Sequence, residues 1–329
     1  VIVVQVKDVV AHGSLDPRMV KIPGIYVDYV VVAAPEDHQQ TYDCEYDPSL
    51  SGEHRAPEGA ADAALPMSAK KIIGRRGFGI DENAVVNLGV GAPEYVASVA
   101  GEEGIADTIT LTVEGDAIGG VPQGGARFGS SRNADAIIDH TYQFDFYDAA
   151  VWTSLTSVWL SAMHRATSTS ASSVATLPAA AFPEYFPADT ECLLLRHLYG
   201  WRLENRCRRR QSQDPPGSKA KKFIKAVDQI TFNGSYAARN GKHVLYITER
   251  CVFELTKEGL KLIEVAPGID IEKDILAHMD FKPIIDNPKP MDARLFQDGP
   301  MGVKNETYAT PPRSIVLPTL EKAHEFMQK

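Results

Sequence analysis

The chain has 329 residues, a formal net charge of −9 and 44% hydrophobic residues, which suits a soluble globular protein of one large or two ordinary domains. The acidic balance argues against nucleic acid or an anionic membrane as the main partner. No apolar run approaches the roughly 20 residues that span a bilayer. The four cysteines lack metal-ligand spacing, so we expect a cytoplasmic protein without a metal centre or a disulfide framework.

The first part of the chain predicts two strands and a surface excursion. Val1–Val6 and Ile25–Ala34 are rich in β-branched residues, as strands are. Residues 35–66 hold much of the local Pro, Gly, Asp and His, which is typical of a linker. The sequence does not start with Met, so we expect it to begin inside a longer protein.

The next part predicts alternating helices and strands. A basic helix is expected over Met67–Arg76 and a short strand over Ala84–Leu88. Pro93 suits the first turn of a helix that ends near Gly101, and Ile105–Val113 reads as the next strand. Strand, helix and strand at this spacing predict a parallel βαβ unit, so the fold class is α/β with an open, mainly parallel sheet and flanking helices. Parallel sheets place ligand loops at the carboxyl ends of their strands.

The last part of the chain alternates in the same way. Its expected strands are His243–Thr248, Cys251–Thr256 and Leu260–Val265, and its expected helices are Asp270–Met279 and Leu320–Gln328.

A carboxylate stands where one of the predicted strands ends. Glu114 follows the β-branched run Thr108–Val113 and precedes the glycine-rich loop Gly115–Gly125. A carboxylate that faces glycine-lined space is a poor choice for core packing and suits a nucleophile that a large substrate must reach. By position alone, a carboxylate that merely caps the loop is an equal alternative.

Several stretches together resemble the class I coenzyme A transferases, and most closely the subgroup in which two related domains are fused. The stretches that carry the resemblance lie in 1–148 and in 219 to about 301: Val86–Ala97, Thr108–Gly125, Tyr142–Asp148, Phe223–Phe232, Tyr246–Arg250 and Ile263–Asp270. The resemblance implies the CoA-transferase fold, incomplete in this chain. Residues 1–66 would be the tail of a first domain plus a linker, and 67–329 would be the second domain.

The resemblance implies that Glu114 is the catalytic nucleophile of an acyl-CoA:carboxylate CoA-transferase. The carboxylate would attack the thioester of an acyl-CoA, and a glutamyl-CoA thioester would then carry the CoA to a short-chain acid such as acetate, propionate or acetoacetate. No permanently bound cofactor is implied, since coenzyme A is a substrate. The family also implies a homo-oligomer when the protein is intact.

The glycine loops are candidates for substrate binding. Gly89, Gly91 and Ala92 precede a helix, where backbone N–H groups can hold an oxyanion or a phosphate. A tight strand-to-helix turn is the alternative explanation. The glycines of the second loop would leave room for the pantetheine arm of CoA. They are Gly119, Gly120, Gly124 and Gly125.

Some charged residues near these loops need a separate interpretation. The family has glycine two residues after its glutamate, but this chain has Asp116. A second carboxylate there is expected to raise the pKa of Glu114 or to hinder anionic substrates. Glu94, Glu102 and Glu103 are interpreted as solvated helix charges. No histidine is assigned a role.

The segment 149–218 differs from the rest of the chain in composition and in hydrophobic pattern. It contains no Lys and no Ile but all three tryptophans, and no helix or strand period persists through it. A disordered insertion is one interpretation. The other is translation out of frame, because codons compatible with Ala150–Ser154, read one base earlier, give Gly-Gly-Val-Asp-Ile, which resembles the family sequence after Phe-Tyr-Asp. The original frame would resume at Lys219.

Three functions therefore stay open at the level of sequence. The first is CoA transfer between an acyl-CoA and a carboxylate. The second is an inactive fragment or frameshifted product of such a gene. The third is acyl-CoA hydrolysis, in which water intercepts the glutamyl intermediates.

Overall fold

The computed structural model describes residues 1–41, 44–57, 66–78, 83–89, 91–148, 154–158, 161–162, 168–169, 191–195, 198, 221–227, 230, 232–303, 322 and 327. The first two strands, β1 (Val3–Val6) and β2 (Tyr29–Val32), form a parallel two-stranded ribbon of their own. A short helix, α1 (Pro48–Ser51), follows them.

The remaining helices and strands build the part of the chain that carries Glu114. The helices are α2 (Ala69–Arg76), α3 (Glu94–Glu102), α4 (His140–Asp148) and α5 (Gly234–Arg239). The strands before residue 149 are β3 (Val85–Leu88), β4 (Thr110–Thr112), β5 (Ala117–Ile118), β6 (Val121–Pro122), β7 (Ser131–Arg132) and β8 (Ala136–Ile137). The later strands are β9 (Ser154–Val158), β10 (Ser161–Ala162), β11 (Ser168–Thr169), β12 (Glu191–Leu195), β13 (His243–Ile247), β14 (Cys251–Leu255), β15 (Leu260–Val265) and β16 (Ile284–Pro290).

One sheet organises this part of the chain. Among the described residues it has ten strands in the order β16-β15-β14-β13-β12-β9-β3-β4-β5-β8. Its centre, from β13 to β4, is parallel throughout. On both sides antiparallel pairs follow, β13-β14-β15 and β4-β5-β8, and the edge strand β16 is again parallel to β15. The fold class α/β is confirmed, but the expectation of a mainly parallel sheet is too simple. Short turns such as 256–259 connect antiparallel strands directly, which parallel strands do not allow.

A hydrophobic core lies on each face of this sheet. One face packs against α2 and α3 through residues such as Ile73, Val96 and Leu111. The other packs against α4 and the later loops through residues such as Tyr147, Phe223 and Phe253. Central strands are therefore buried on both sides, as β3 is along its whole length, and this matches the apolar runs of a parallel sheet.

Most predicted elements form within one or two residues of the expected bounds, and the βαβ unit β3-α3-β4 is confirmed. Two predictions were wrong in kind. Ile105–Val113 is a strand only over β4, because Ala106–Thr108 forms a 3-10 turn. Asp270–Met279 is a π turn over Ile271–Ile275 followed by a 3-10 turn, not an α-helix. The helix predicted over Leu320–Gln328 falls outside the described residues, apart from two isolated positions.

The segment 149–218 contributes to the centre of the sheet where it is described. β9 pairs with β3 and β12, and β12 pairs with β13, all in parallel. Leu193 and Leu195 of β12 are buried in the core on the α2 and α3 side. The reading-frame prediction for this segment stays a prediction, and most of the segment lies outside the described residues.

Helices α2 and α3 pack so closely that only glycine fits between them. A Cβ atom at Gly74 would lie 2.6 Å from Cβ and 2.9 Å from the carbonyl carbon of Tyr95. Nearby, the Arg75 guanidinium donates to backbone carbonyls of 294–299, including Gln297 at 2.7 Å. The contact of Gly74 with Tyr95 holds α3 against α2, and α3 directly follows the glycine loop after β3.

A matched pair of glycine substitutions tests this packing. We expect Gly74→Ala to destabilise the protein by about 1–3 kcal/mol, because the added methyl group overpacks the helix contact. Gly101→Ala on the exposed end of α3, where a Cβ would meet nothing within 4 Å, should instead stabilise by roughly 0.5–1 kcal/mol through helix propensity. Denaturant unfolding of both variants measures the difference. Equal effects would contradict the described packing.

Candidate active site

The carboxyl ends of β3 and β4 meet at one edge of the parallel sheet. Asn87 of β3 pairs in register with Thr112 of β4. Two residues beyond Thr112, Glu114 leaves the strand with a half-buried side chain. The sheet therefore brings a buried amide and a carboxylate together at the position where α/β folds bind ligands.

Asn87 is held in one orientation by its neighbours. The hydroxyl group of Tyr147 donates to Asn87 Oδ1 at 3.2 Å, and that of Thr112 approaches the same oxygen at 3.4 Å. Both donors engage Oδ1, which leaves the amide nitrogen to donate to Glu114. Burial of the Tyr147 ring, with the nearby carboxylates, raises the pKa of its hydroxyl group, so it stays a neutral donor.

The ionisation of Glu114 reflects two opposing effects. Burial raises the pKa of the Glu114 carboxyl group, while the hydrogen bond from Asn87 and the positive charge of His140 lower it. The net shift is upward, because desolvation disfavours the charged form more than these two partners favour it.

Gln143 forms hydrogen bonds with the backbone on both sides of Glu114. Its side chain is fully buried on α4. Gln143 Nε2 donates to the carbonyl of Val113 at 2.8 Å, and Gln143 Oε1 accepts from the backbone N–H of Asp116 at 2.8 Å. The residues before and after Glu114 are thus fixed by one side chain from another element.

Asp116 adopts a left-handed backbone conformation, with φ of +80°. Glycine enters this region at no steric cost, which gives a physical reason for the glycine of the family pattern. The carboxylate of Asp116 lies 3.3 Å from His140 Nδ1. Burial is the main cause of the raised pKa of Glu114. The Asp116 carboxylate has a partner of opposite charge when His140 is protonated.

The glycines of the second loop fall into two groups. Gly115 and Gly120 are needed for internal packing, since a Cβ there would lie 1.9 Å from the Gly129 carbonyl oxygen and 2.4 Å from the Arg132 carbonyl oxygen, respectively. At Gly119 the backbone conformation favours glycine, with φ of +74°, and a Cβ would also lie 2.0 Å from an Asp135 carboxylate oxygen. A Cβ at Gly125 would meet nothing within 4 Å, and Gly125 is exposed.

The loop after β3 approaches the second glycine loop through Glu94. Gly91 has φ of +93°, and its N–H donates to Glu94 Oε1 at 2.7 Å. The N–H of Gly125 donates to Glu94 Oε2 at 3.2 Å. Ala92 is buried beside them, and Gly89 directly follows β3. The Gly91 N–H is therefore engaged by the protein itself.

The interpretation of the three helix glutamates as solvated charges was wrong. Glu94 accepts the two backbone hydrogen bonds of the glycine loops. Glu102 is buried against Lys71 at 2.6 Å. Glu103 accepts from the backbone N–H groups of 301–303 at 2.5–3.2 Å. A helix period does not show that a loop distant in sequence folds back onto its charged residues.

Sequence reasoning missed the side chains that surround Glu114. Asn87, Gln143 and Tyr147 all lie in the stretches that resemble the CoA-transferases. The resemblance therefore marked these positions, but it did not indicate what their side chains do. His140 lies just before one of these stretches. In the described part of the chain, no cluster of three or more His, Cys, Asp or Glu residues could hold a metal ion. None of the helices described there is long and apolar enough to cross a membrane.

The comparisons with known proteins agree with this geometry. The chain is 37% identical to caffeate CoA-transferase of Acetobacterium woodii over 308 residues, covering 91% of the chain and 58% of that protein. It is 36% identical to acetate CoA-transferase YdiF of Escherichia coli O157:H7, covering 92% of the chain and 57% of that protein. These relatives are CoA-transferases. The chain spans a little over half the length of each.

The same similarity appears in three dimensions. The structure of the YdiF apoenzyme from Escherichia coli O157:H7 superposes with a TM-score of 0.77 at 33% identity, covering 94% of this chain and 57% of the other. A structure of YdiF described as a thioester complex with CoA gives a TM-score of 0.73. No protein-family profile matches the chain.

The pKa of Glu114 can be tested directly by carbon NMR of the labelled carboxyl group. We expect titration above the ordinary value of 4.5, with Asn87→Ala and His140→Gln raising the pKa further, because each removes a partner of the ionised form. Because the folded state holds this proton more tightly, the group favours folding most below the unfolded pKa and least after the pH has risen through the folded pKa.

His243→Gln is the matched control for this titration. His243 is also a partly exposed histidine near a carboxylate, Glu254, but it lies on β13. We expect it to leave the titration of Glu114 unchanged. A Glu114 pKa at or below 4.5, or one that ignores Asn87→Ala, would contradict the described site.

Proposed function

We propose that the chain is the Glu114-bearing part of an acyl-CoA:carboxylate CoA-transferase acting on short-chain acids such as acetate, propionate or acetoacetate. The observation that carries the proposal is the half-buried Glu114 carboxylate at the end of β4, hydrogen-bonded to Asn87 and bordered by two glycine loops. Relatives that match over more than 90% of the chain support CoA transfer, since they are named caffeate CoA-transferase and acetate CoA-transferase, and the second of them supports a short-chain acid.

In the proposed reaction, a carboxylate oxygen of Glu114 attacks the thioester carbonyl and expels the CoA thiolate, which gives a mixed anhydride. The thiolate then attacks the glutamyl carbonyl, releases the first acid as its carboxylate and leaves a glutamyl-CoA thioester. An acceptor carboxylate reverses both steps and departs as the new acyl-CoA. The thioester is conserved throughout, so no external energy source is required.

The raised pKa of Glu114 suits this chemistry. A more basic carboxylate is the stronger nucleophile once it is ionised. The hydrogen bond from Asn87 lowers the pKa and so opposes the effect of burial.

The backbone at Gly89 and Ala92, on either side of the Gly91 N–H that Glu94 engages, is the proposed surface for the thioester oxygen. The open space beside Gly125 is proposed for the pantetheine arm, with Gly124 held next to it against Glu94. Gly119 and Gly120 have a structural reason to be glycine, and their part in CoA binding stays a prediction. The proposal includes no permanently bound cofactor, no metal and no nucleic-acid or membrane partner.

We further propose that residues 1–66 are the tail of a first CoA-transferase domain plus a linker, and that 67–329 are the second domain. The ribbon of β1 and β2 supports this division, because Val3 is 58% and Val31 50% exposed and an isolated two-stranded ribbon is marginally stable. A cytoplasmic location and a homo-oligomeric assembly complete the proposal.

The out-of-frame origin of 149–218 is also proposed. It rests on the composition of the segment and on the family-like peptides that shifted codons allow. The coding DNA between Asp148 and Lys219 decides it. Codons that cannot yield the shifted peptides would refute the proposal.

Trapping of the covalent intermediate tests the role of Glu114. After incubation of the purified chain with acetyl-CoA or propionyl-CoA, hydroxylamine should convert the glutamyl thioester to a hydroxamate. We expect mass spectrometry to place the hydroxamate on the peptide that contains Glu114, and Glu114→Gln to show none. Transfer activity should fall by at least about 10³-fold in Glu114→Ala, because covalent catalysis is lost.

Asp107, an exposed carboxylate just before β4, is the internal control and should stay unmodified in the wild-type chain, while Asp107→Asn should keep the label on Glu114. Modification at another residue, or full transfer in Glu114→Ala, would contradict the proposal. Turnover that proceeds without any carboxylate acceptor would instead indicate an acyl-CoA hydrolase.

A further inference from the structure

Glu94 connects two loops that are distant in the sequence. Its carboxylate accepts one hydrogen bond from the N–H of Gly91 at 2.7 Å and another from the N–H of Gly125 at 3.2 Å. Each oxygen serves one loop. Gly124 lies so close that a Cβ there would be 2.9 Å from Glu94 Oε2. A single carboxylate thus spans the space between the loop after β3 and the loop after β4.

The contacts continue from Gly125 to the candidate nucleophile. The turn that begins at Gly125 is closed by the N–H of Phe128, which donates to the Gly125 carbonyl at 3.3 Å. The backbone of Gly129, which follows, lies against Gly115, where a Cβ would be 1.9 Å from the Gly129 carbonyl oxygen. Gly115 is the residue directly after Glu114. If Gly125 shifts, the turn 125–128 and Gly129 are expected to shift with it and to displace the backbone next to Glu114.

We propose that Glu94 is a positioning residue, which sets the separation of the two glycine loops and thereby the geometry of the backbone in front of Glu114. The inference rests on the proposed function for its catalytic consequence. Reaction geometry is demanding, because a small misplacement of reacting groups lowers the rate by one or more orders of magnitude. Charge-assisted hydrogen bonds to backbone N–H groups are strong enough to hold such a geometry.

A simpler role for Glu94 is a favourable negative charge at the first turn of α3. That role requires a negative charge but not a side chain as long as that of glutamate. The proposed role needs both oxygens and the full length of a glutamate. Glu94→Gln keeps the length but loses one acceptor, since an amide nitrogen cannot accept from an N–H. Glu94→Asp keeps the charge but is one methylene too short to serve both loops.

Hydrogen–deuterium exchange of the purified chain tests the connection without requiring activity. We expect Glu94→Gln and Glu94→Asp each to accelerate exchange about tenfold at the glycine loop whose N–H loses its acceptor, in the peptide that contains Gly91 or in the one that contains Gly125. The matched control is Glu103→Gln at the other end of α3. Glu103 also accepts backbone N–H groups, but from 301–303, so exchange should accelerate there and not at the glycine loops. Acceleration at neither glycine loop, or acceleration at 301–303 instead, would overturn the proposal.

Kinetics of CoA transfer test the consequence. In both Glu94 variants kcat should fall about tenfold with a smaller change in the KM for acyl-CoA, since substrate still binds but faces a misaligned site. Glu103→Gln should keep kcat per folded molecule. Restoration of kcat by aspartate would assign Glu94 to the helix terminus alone and overturn the proposal. If the wild-type chain forms no adduct on Glu114, the proposed function fails, while the exchange measurement still decides whether Glu94 ties the loops.

Discussion

The site depends on a conflict between burial and charge at one carboxylate. Glu114 must be ionised to act as a nucleophile, yet its position at the end of a buried strand removes water from it and raises its pKa. A fully buried carboxylate would shift by several pKa units and stay neutral. The half-buried position, with Asn87 as a donor, limits the shift. The other residues of the site keep Glu114 in this partly buried, hydrogen-bonded position.

The surroundings of Glu114 are built from backbone and from side chains that are themselves fixed. Tyr147 orients Asn87, and Gln143 holds the chain on both sides of Glu114. Both come from α4, and they reach the sheet edge through fully formed hydrogen bonds. The glycines allow the backbone of separate loops to approach within contact distance, which no other residue would permit at Gly115. Such preorganisation places reactive groups without reorganisation during the reaction.

The sequence predicted the elements whose signals are local. Pro93 and the apolar spacing after it define α3, and the β-branched run before Glu114 locates the end of β4. Signals that depend on distant contacts were not readable. Asn87 and Tyr147 are 60 residues apart, and Glu94 meets Gly125 across 31 residues. The hydrophobic spacing of Asp270–Met279 fits an α-helix equally well, but tertiary packing selects a π turn and a 3-10 turn.

Transfer of isotope from the acceptor to Glu114 tests the central claim most directly. If an acceptor carboxylate attacks glutamyl-CoA and leaves as acyl-CoA, one of its oxygens stays behind on the glutamate. Incubation of the chain with unlabelled acetyl-CoA and propionate labelled with oxygen-18 should therefore place the heavy isotope in the Glu114 carboxyl group. Mass spectrometry of the isolated peptide detects it. Formation of propionyl-CoA with an unlabelled Glu114 peptide would contradict the account.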